Sequence, residues 1–482
     1  MNPALTRSDR RAKRKEMKYG WLNNLSRSWI LLAGLSVFLL ILPAELKLDG
    51  KLAIITFMVA TYCWVATPVP PAIVAIGSVL FLTMTGAADQ ELLYSSLSSD
   101  VIWLMIGAFI VGAAMQSTGL ASRLVTLLLS KANSVSGLFF LLTIVIQLLT
   151  FFIPSTSGRA SVMLPIYRDL SNVMKNRKVQ KGLSILIPVI ILIATSATLI
   201  GASSHLIAND YLEKFGHERI SFLTWMVWGV PFVLIAGFLT CGVIQYMFLD
   251  AETRRKVIPK MEDREGKKIN LSDKEKVVLS VFSLMVVLWM TEKLHGIEIA
   301  TVIMEGALIL VLPKLGVLDW KKGMEAVSWS LILFVGAAVS LGEALIKTGA
   351  AEWIMDSLLI VTEGVLFQAE FITLLLMSVI SLTSHLYITS HTMRVVILVP
   401  PLLSMAVTEN INVISFVFLL IVGMNYCITF PVSSKALLIF SGEKGGFEAV
   451  ELQKLSKVLS VIYIALMILF YFTYWRWTGL TL

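Results

Sequence analysis

Phe152-Ile153-Pro154-Ser155-Thr156-Ser157-Gly158-Arg159 and Tyr387-Ile388-Thr389-Ser390-His391-Thr392-Met393-Arg394 are one element written twice. Superposing Arg159 on Arg394, a shift of 235 residues, makes both tips read Ser-X-Ser/Thr-X-Arg, each followed by an apolar arm reaching Pro165 or Pro400-Pro401. Upstream, Gly112 to Gly119 matches Gly342 to Gly349 at a shift of 230, and downstream Ser203-Ser204-His205 matches Ser433-Ser434-Lys435 at the same shift. Three blocks in one order at near-constant spacing mark an internal repeat.

What surrounds the tips sets the solvent. Of 482 residues, 57% are apolar and 15% charged, whereas a soluble domain carries about 25% charged residues. Apolar blocks recur near 29–45, 52–68, 70–87, 100–117, 182–201, 221–248, 275–291, 296–313, 327–346, 411–430 and 457–475, each long enough for a helix to cross the hydrocarbon core. They are apolar all round, which excludes a β-barrel with its period-two strands. Soluble enzymes and nucleic-acid binders are excluded with it. The expected fold class is an all-α polytopic membrane protein with about eleven transmembrane helices.

The two tip-bearing stretches do not fit as crossings, because a polar break interrupts each. Reading both as re-entrant hairpins, at 136–174 and 365–407, keeps the basic segment 1–28 and the basic loop 249–276 on one side, which the positive-inside rule places in the cytoplasm. The expected order is segment 1–28, an extra first span 29–51, a first unit 52–248, the loop 249–276 and a second unit 277–482. The N-terminus is expected inside and the C-terminus outside, in the plasma membrane. Each unit holds five crossings plus a hairpin. Five is odd, so the second unit enters from the opposite side and the repeat is inverted, the geometry of alternating access.

Backbone that leaves the helix at membrane depth survives only against protein or a wet cavity, so the tips should line a site. Arg159 and Arg394 sit there as ionised groups costing about 3 kcal/mol each at mid-bilayer. Helix N-termini at the tips favour anions, and arginine grips a carboxylate with two parallel bonds. The expected substrate site is therefore Ser155, Thr156, Ser157, Arg159, Ser390, His391, Thr392 and Arg394, with His205, Lys435, Ser204 and Ser434 beside it as further binding groups or fixed cations. Cys63, Cys241 and Cys427 lie at no metal or disulfide spacing and read as small core residues. No nucleotide-binding loop or HExxH occurs, so neither a metal nor a cofactor is expected.

At these residues the chain resembles the divalent anion/sodium symporter family, the INDY-type di- and tricarboxylate transporters. That family carries Ser-Asn-Thr at each hairpin tip, where Ser155-Thr156-Ser157 and Ser390-His391-Thr392 stand here. Ala197-Thr198-Leu199-Ile200-Gly201 and Phe430-Pro431-Val432 resemble its two helix breaks, near 198–205 and 428–436. The resemblance implies a homodimer in which a transport domain moves against a scaffold as an elevator. Asparagine is missing from both tips, and Ser203-Ser204-His205 and Ser433-Ser434-Lys435 replace the usual Pro-Pro-Asn, which resembles the family's sodium-independent exchanger branch. The expected function is sodium-independent exchange of dicarboxylates such as 2-oxoglutarate, malate, succinate or fumarate. A sodium- or proton-coupled symporter of dicarboxylate, citrate or sulfate is the alternative, and an integral membrane transferase the remote one.

Overall fold

The computed structural model describes residues 33–41, 45–120, 123, 125, 131–153, 155–258, 271–354 and 370–482. Segment 1–28, Pro154, the middle of the basic loop and the start of the second hairpin at 365–369 lie outside the described residues. Those described are helical, with no β-strand beyond an isolated bridge between Ser134 and Val257. Eight helices among them are long and apolar enough to cross a membrane, and four shorter apolar helices accompany them.

We number the main helices in chain order. The first unit holds α1 (Leu48–Ala66), α2 (Pro71–Met84), α3 (Asp100–Thr118), α4 (Val135–Phe152), α5 (Thr156–Met174), α6 (Arg177–Ala194), α7 (Ser203–Lys214) and α8 (Phe222–Phe248). The second holds α9 (Asp273–Met290), α10 (Ile299–Val311), α11 (Trp329–Lys347), α12 (Glu370–Thr383), α13 (His391–Thr408), α14 (Val413–Met424), α15 (Lys435–Ser441) and α16 (Ala449–Phe470). The repeat holds helix by helix, α1 to α8 answering α9 to α16. Both hairpins form where the tips predict them: α4 and α5 meet at Ser155, α12 and α13 at Ser390.

Two layers follow from the packing. In one, α2 lies on α11, α3 on α10, and α1 and α9 flank them. In the other, each hairpin packs on its own broken helix, while α7 crosses to α13 and α15 crosses to α5. This interchange puts each hairpin tip beside a helix of the opposite repeat.

The breaks begin a few residues before their expected positions. After α6 the chain makes two 3-10 turns, Thr195–Ala197 and Leu199–Gly201, with Thr198 and Ala202 extended. After α14 it leaves the helix at Asn425, with Phe430 and Ser434 extended around the turn Pro431–Ser433. Each departure falls at a polar residue, Thr195 or Asn425, that ends an apolar helix. The stretch 411–430 is thus a 12-residue helix plus unwound chain.

Helix α8, with 27 residues, spans the layer at 1.5 Å per residue and fixes which ends share a face. At its far end Asp250 pairs with Lys178 at the start of α6, 2.5 Å apart, and Val257 bridges Ser134 at the start of α4. At its near end lie the end of α7 and the start of α3, joined through Arg219 and Asp100. The end of α15 is on the Asp250 face, where Glu443 pairs with Arg168 of α5. The two broken helices therefore finish on opposite faces, as an inverted repeat requires.

Candidate functional site

The site is assembled from the two tips and the two breaks. Ser155 Oγ accepts the Gly158 N–H at 3.3 Å, and Ser390 Oγ accepts the Met393 N–H at 3.4 Å. Each serine caps an arm and fixes an N-terminus at the tip. Arg159 and Arg394 follow four residues later, each wholly buried.

Their surroundings differ. Arg159 Nη1 donates to Thr150 Oγ1 at 2.6 Å and to the Ile191 carbonyl at 3.3 Å, and Nη2 donates to Thr195 Oγ1 and the Gly201 carbonyl, both at 3.1 Å. The guanidinium thus pins the first hairpin to the first break through four neutral oxygens. Arg394 makes one such bond, from Nη1 to the Met424 carbonyl at 2.6 Å. Its Nε and Nη2 are buried without a hydrogen-bond partner, beside Cys427 and His391. No carboxylate pairs with either arginine among the described residues, so the site carries two fixed, unneutralised cations.

Asn425 couples the halves. Its Nδ2 donates to Ser196 Oγ at 2.8 Å and to His205 Nε2 at 2.9 Å. His205 therefore keeps its proton on Nδ1, which lies 3.0 Å from the Thr198 carbonyl. The ring stacks on buried Trp225, centroids 4.8 Å apart, and so bridges the breaks as a neutral group. His391 Nε2 lies 2.8 Å from Cys427 Sγ. Cys427 is buried in the core as a small free cysteine, and its thiol lies against the second tip. Across the repeats, Thr392 Oγ1 is 3.4 Å from Ser203 Oγ.

The remaining expected residues divide. Ser204 is buried with its hydroxyl unpartnered, as are Ser433 and Thr198 at the two breaks, while Ser434 caps α15 by accepting the Ala436 N–H at 3.2 Å. Thr156 and Ser157 are part-exposed at the first turn of α5. Lys435 is exposed on the first turn of α15, apart from the buried cluster. Thr150, Thr195, Ser196 and Asn425 escaped the sequence reading. Their signal was available: polar residues in the last turns of apolar helices, with Thr195 and Asn425 at equivalent repeat positions.

Unpartnered polar atoms buried in a folded protein ask for an explanation. Here Arg394, Thr198, Ser204 and Ser433, at the second tip and the two breaks, hold several, all able to donate. Donors and fixed cations without a paired carboxylate among the described residues can hold a small anion.

Comparison with known proteins reaches the same neighbourhood. Residues 22–481 match the family model for the sodium:sulfate symporter transmembrane region. A membrane protein of Cupriavidus necator is 25% identical over 486 residues, covering 94% of each chain. The sodium-dependent dicarboxylate transporter SdcS of Staphylococcus saprophyticus is 24% identical, over 90% of this chain and 88% of that one. The YdaH transporter of Alcanivorax borkumensis shares the fold, with a TM-score of 0.58 at 14% identity over 89% of this chain and 99% of that one.

Proposed function

The chain belongs to the sodium:sulfate symporter transmembrane family, and from that premise we propose that it exchanges dicarboxylates across the plasma membrane without sodium. The observation that carries the reading is the seat of Arg159: two carbonyls and two hydroxyls, the neutral oxygen ligands that a hard cation takes, are filled by a guanidinium of the chain itself. A cation that is covalently part of the site does not leave with the substrate.

In this reading one substrate carboxylate bonds the free Nε and Nη2 of Arg394, with Thr392 and His391 beside it. The other meets the first-turn N–H groups and hydroxyls of Thr156 and Ser157, with Ser204 and Ser434 closing the pocket. Substrates are four- to five-carbon dianions of the 2-oxoglutarate, malate, succinate and fumarate class. Arg159 and Arg394 give the empty site a charge near +2, which the dianion cancels. Moving two unpaired charges through a low-dielectric layer is costly, so the empty site returns slowly and the loaded one readily. Transport is then obligate exchange, by an elevator motion of the hairpin layer against the layer of α1–α3 and α9–α11.

The layer of α1–α3 and α9–α11 also supplies the fixed reference as a homodimer. Glu305 lies mid-way along α10 and faces outward with Leu308, Ile309 and Leu312; a carboxylate at that depth needs cover, and a second copy provides it. With the 249–276 face in the cytoplasm, the N-terminus is inside and the C-terminus outside.

The test is uptake of labelled dicarboxylate into proteoliposomes. Uptake should require unlabelled dicarboxylate inside and be indifferent to exchanging sodium for potassium or choline. Concentrative, sodium-driven uptake into empty vesicles would instead establish the coupling named for the SdcS relatives.

A further inference from the structure

The ends of the two broken helices carry the same short sequence. Glu213-Lys214-Phe215-Gly216 closes α7 and Glu443-Lys444-Gly445-Gly446 follows α15, 230 residues later. The fold puts them to different use.

The α7 end is tied to the layer of α3 and α11. Lys214 Nζ is 2.7 Å from Glu343 Oε2 of α11, both side chains only 17% exposed. Glu343 also takes Lys347 one turn on, at 2.8 Å. Arg219, in the loop that follows α7, makes a two-bond fork with Asp100 at the start of α3, one arm at 2.7 Å. It also pairs with Glu213 and lies 3.8 Å from Asp210, whose carboxylate accepts from Ser99 Oγ at 3.1 Å. Tyr211 packs against Gly342, its hydroxyl donating to the Ala338 carbonyl at 3.4 Å. A Cβ at Gly342 would stand 2.7 Å from the Tyr211 ring.

The α15 end makes its bonds within its own layer. Glu443 forks with Arg168 of α5 at 2.6 and 2.9 Å, Tyr167 donates to the Lys444 carbonyl at 3.2 Å, and Lys181 of α6 pairs with Glu451. Among the described residues no ion pair joins this end to α3, α9, α10 or α11. The sequence explains why. At the 230-residue shift Glu343 corresponds to Ala113, Asp100 to Ser330 and Arg219 to Ala449. Glu343, Asp100 and Arg219 thus have uncharged residues in their mirror positions, while Lys214 and Glu213 keep their charged counterparts Lys444 and Glu443.

We propose that Lys214–Glu343 and Arg219–Asp100 form a one-sided ionic latch that biases the protein toward the arrangement closed at the α7 face. The inference rests on the reading that the hairpin layer slides against the other. An inverted repeat offers two arrangements of similar energy, and a latch present in only one of them sets their ratio. It therefore regulates access to the substrate site from that face, with no ligand of its own.

Hydrogen–deuterium exchange of the purified protein in nanodiscs, without substrate, tests this. Glu343→Ala, which copies the mirror residue, should quicken exchange over 203–221 at least about fivefold and slow it over 435–446 as that end closes. Adding Ala113→Glu, which offers Lys444 a partner on the opposite face, should push both changes further. Gly342→Ala, which wedges Tyr211 away without touching a charge, should reproduce the first result, and Glu343→Gln should do so if the alanine variant folds poorly. Unchanged rates in both segments, or equal quickening of both, would overturn the latch. A wild-type protein that moves no dicarboxylate would refute the transport reading while leaving these rates to decide the latch.

Discussion

Arg159 and Arg394 occupy one position of a duplicated element, are equally buried, and live differently. Thr150 and Thr195 supply Arg159 with hydroxyl acceptors. The equivalents of those two threonines are His385, by the hairpin shift of 235, and Asn425, by the break shift of 230. Neither turns to Arg394: His385 Nε2 lies 2.7 Å from Thr429 Oγ1, and Asn425 reaches across to Ser196 and His205. Two substitutions thus free one arginine and leave the other bound. Duplication supplied two identical cations, and divergence of their neighbours left one with four hydrogen bonds and the other with one.

The sharpest way to break that comparison is to replace each guanidinium with an apolar chain of similar length. Arg394→Met should abolish dicarboxylate exchange, a loss of about 100-fold or more given that charge-assisted bidentate bonds are removed, with melting temperature in detergent unchanged or raised, since an under-bonded buried cation is costly to keep. Arg159→Met should lower stability by about 3 kcal/mol or more, because four buried oxygens lose their donor together. Parallel melting and uptake curves check both. Equal melting losses in the two variants would erase the distinction.

Next in size is the residue that ties the halves together. Asn425→Ala leaves Ser196 Oγ and His205 Nε2 without their donor in a buried site, at an expected cost of about 2 kcal/mol. It should show as a lower melting temperature together with weakened exchange. Asn425→Asp, which cannot donate to both, should not rescue it.

A smaller effect probes how the second arginine came free. His385→Thr places a hydroxyl where Thr150 stands in the first hairpin. If acceptor supply decides the role, that hydroxyl competes with substrate for Arg394 and raises KM by about threefold to tenfold, equivalent to roughly 1 kcal/mol, with a smaller change in maximal rate. An unchanged KM would mean that the second tip holds Arg394 by backbone alone.

These predictions also mark how far the sequence could be read. The hairpins, the inverted repeat and the two arginines were legible because each rests on residue type and spacing: apolar runs of membrane length, polar tips, and glycine, serine and arginine recurring at fixed shifts. The partition between Arg159 and Arg394 was not. It depends on which way Thr150 turns in the hairpin arm and Thr195 and Asn425 at the breaks, and the hairpins and breaks repeat at different shifts, 235 and 230, so no single superposition of the halves lines up the arginine with all its acceptors. The same limit explains Lys435. By repeat logic it matches His205, yet Lys435 stands on the exposed side of its helix while His205 is covered by Trp225 and Asn425.

The smallest effect lies at the α15 end, where the halves part company a second time. Glu443 sits outside the membrane-spanning helices, and the hydrogen bonds and charge of Arg168 hold its carboxyl below the usual glutamate range. A carboxylate whose folded pKa is depressed adds stability that is present above its unfolded value, about 4.3, and lost as pH falls through the folded value. Arg168 is 57% exposed on its side chain and Glu443 18%, so solvent screens the pair and its worth is small. Glu443→Gln should therefore melt slightly earlier than wild type at pH 7, and the gap should close as pH drops below 4. The contrast is with Glu343→Gln at the opposite face, whose partner Lys214 is far less exposed: there the gap at pH 7 should be wider, because the pair spans two layers and its loss frees one to move. Equal gaps for the two variants would show that both ends are held alike, and the asymmetry between the halves would then be confined to the arginines.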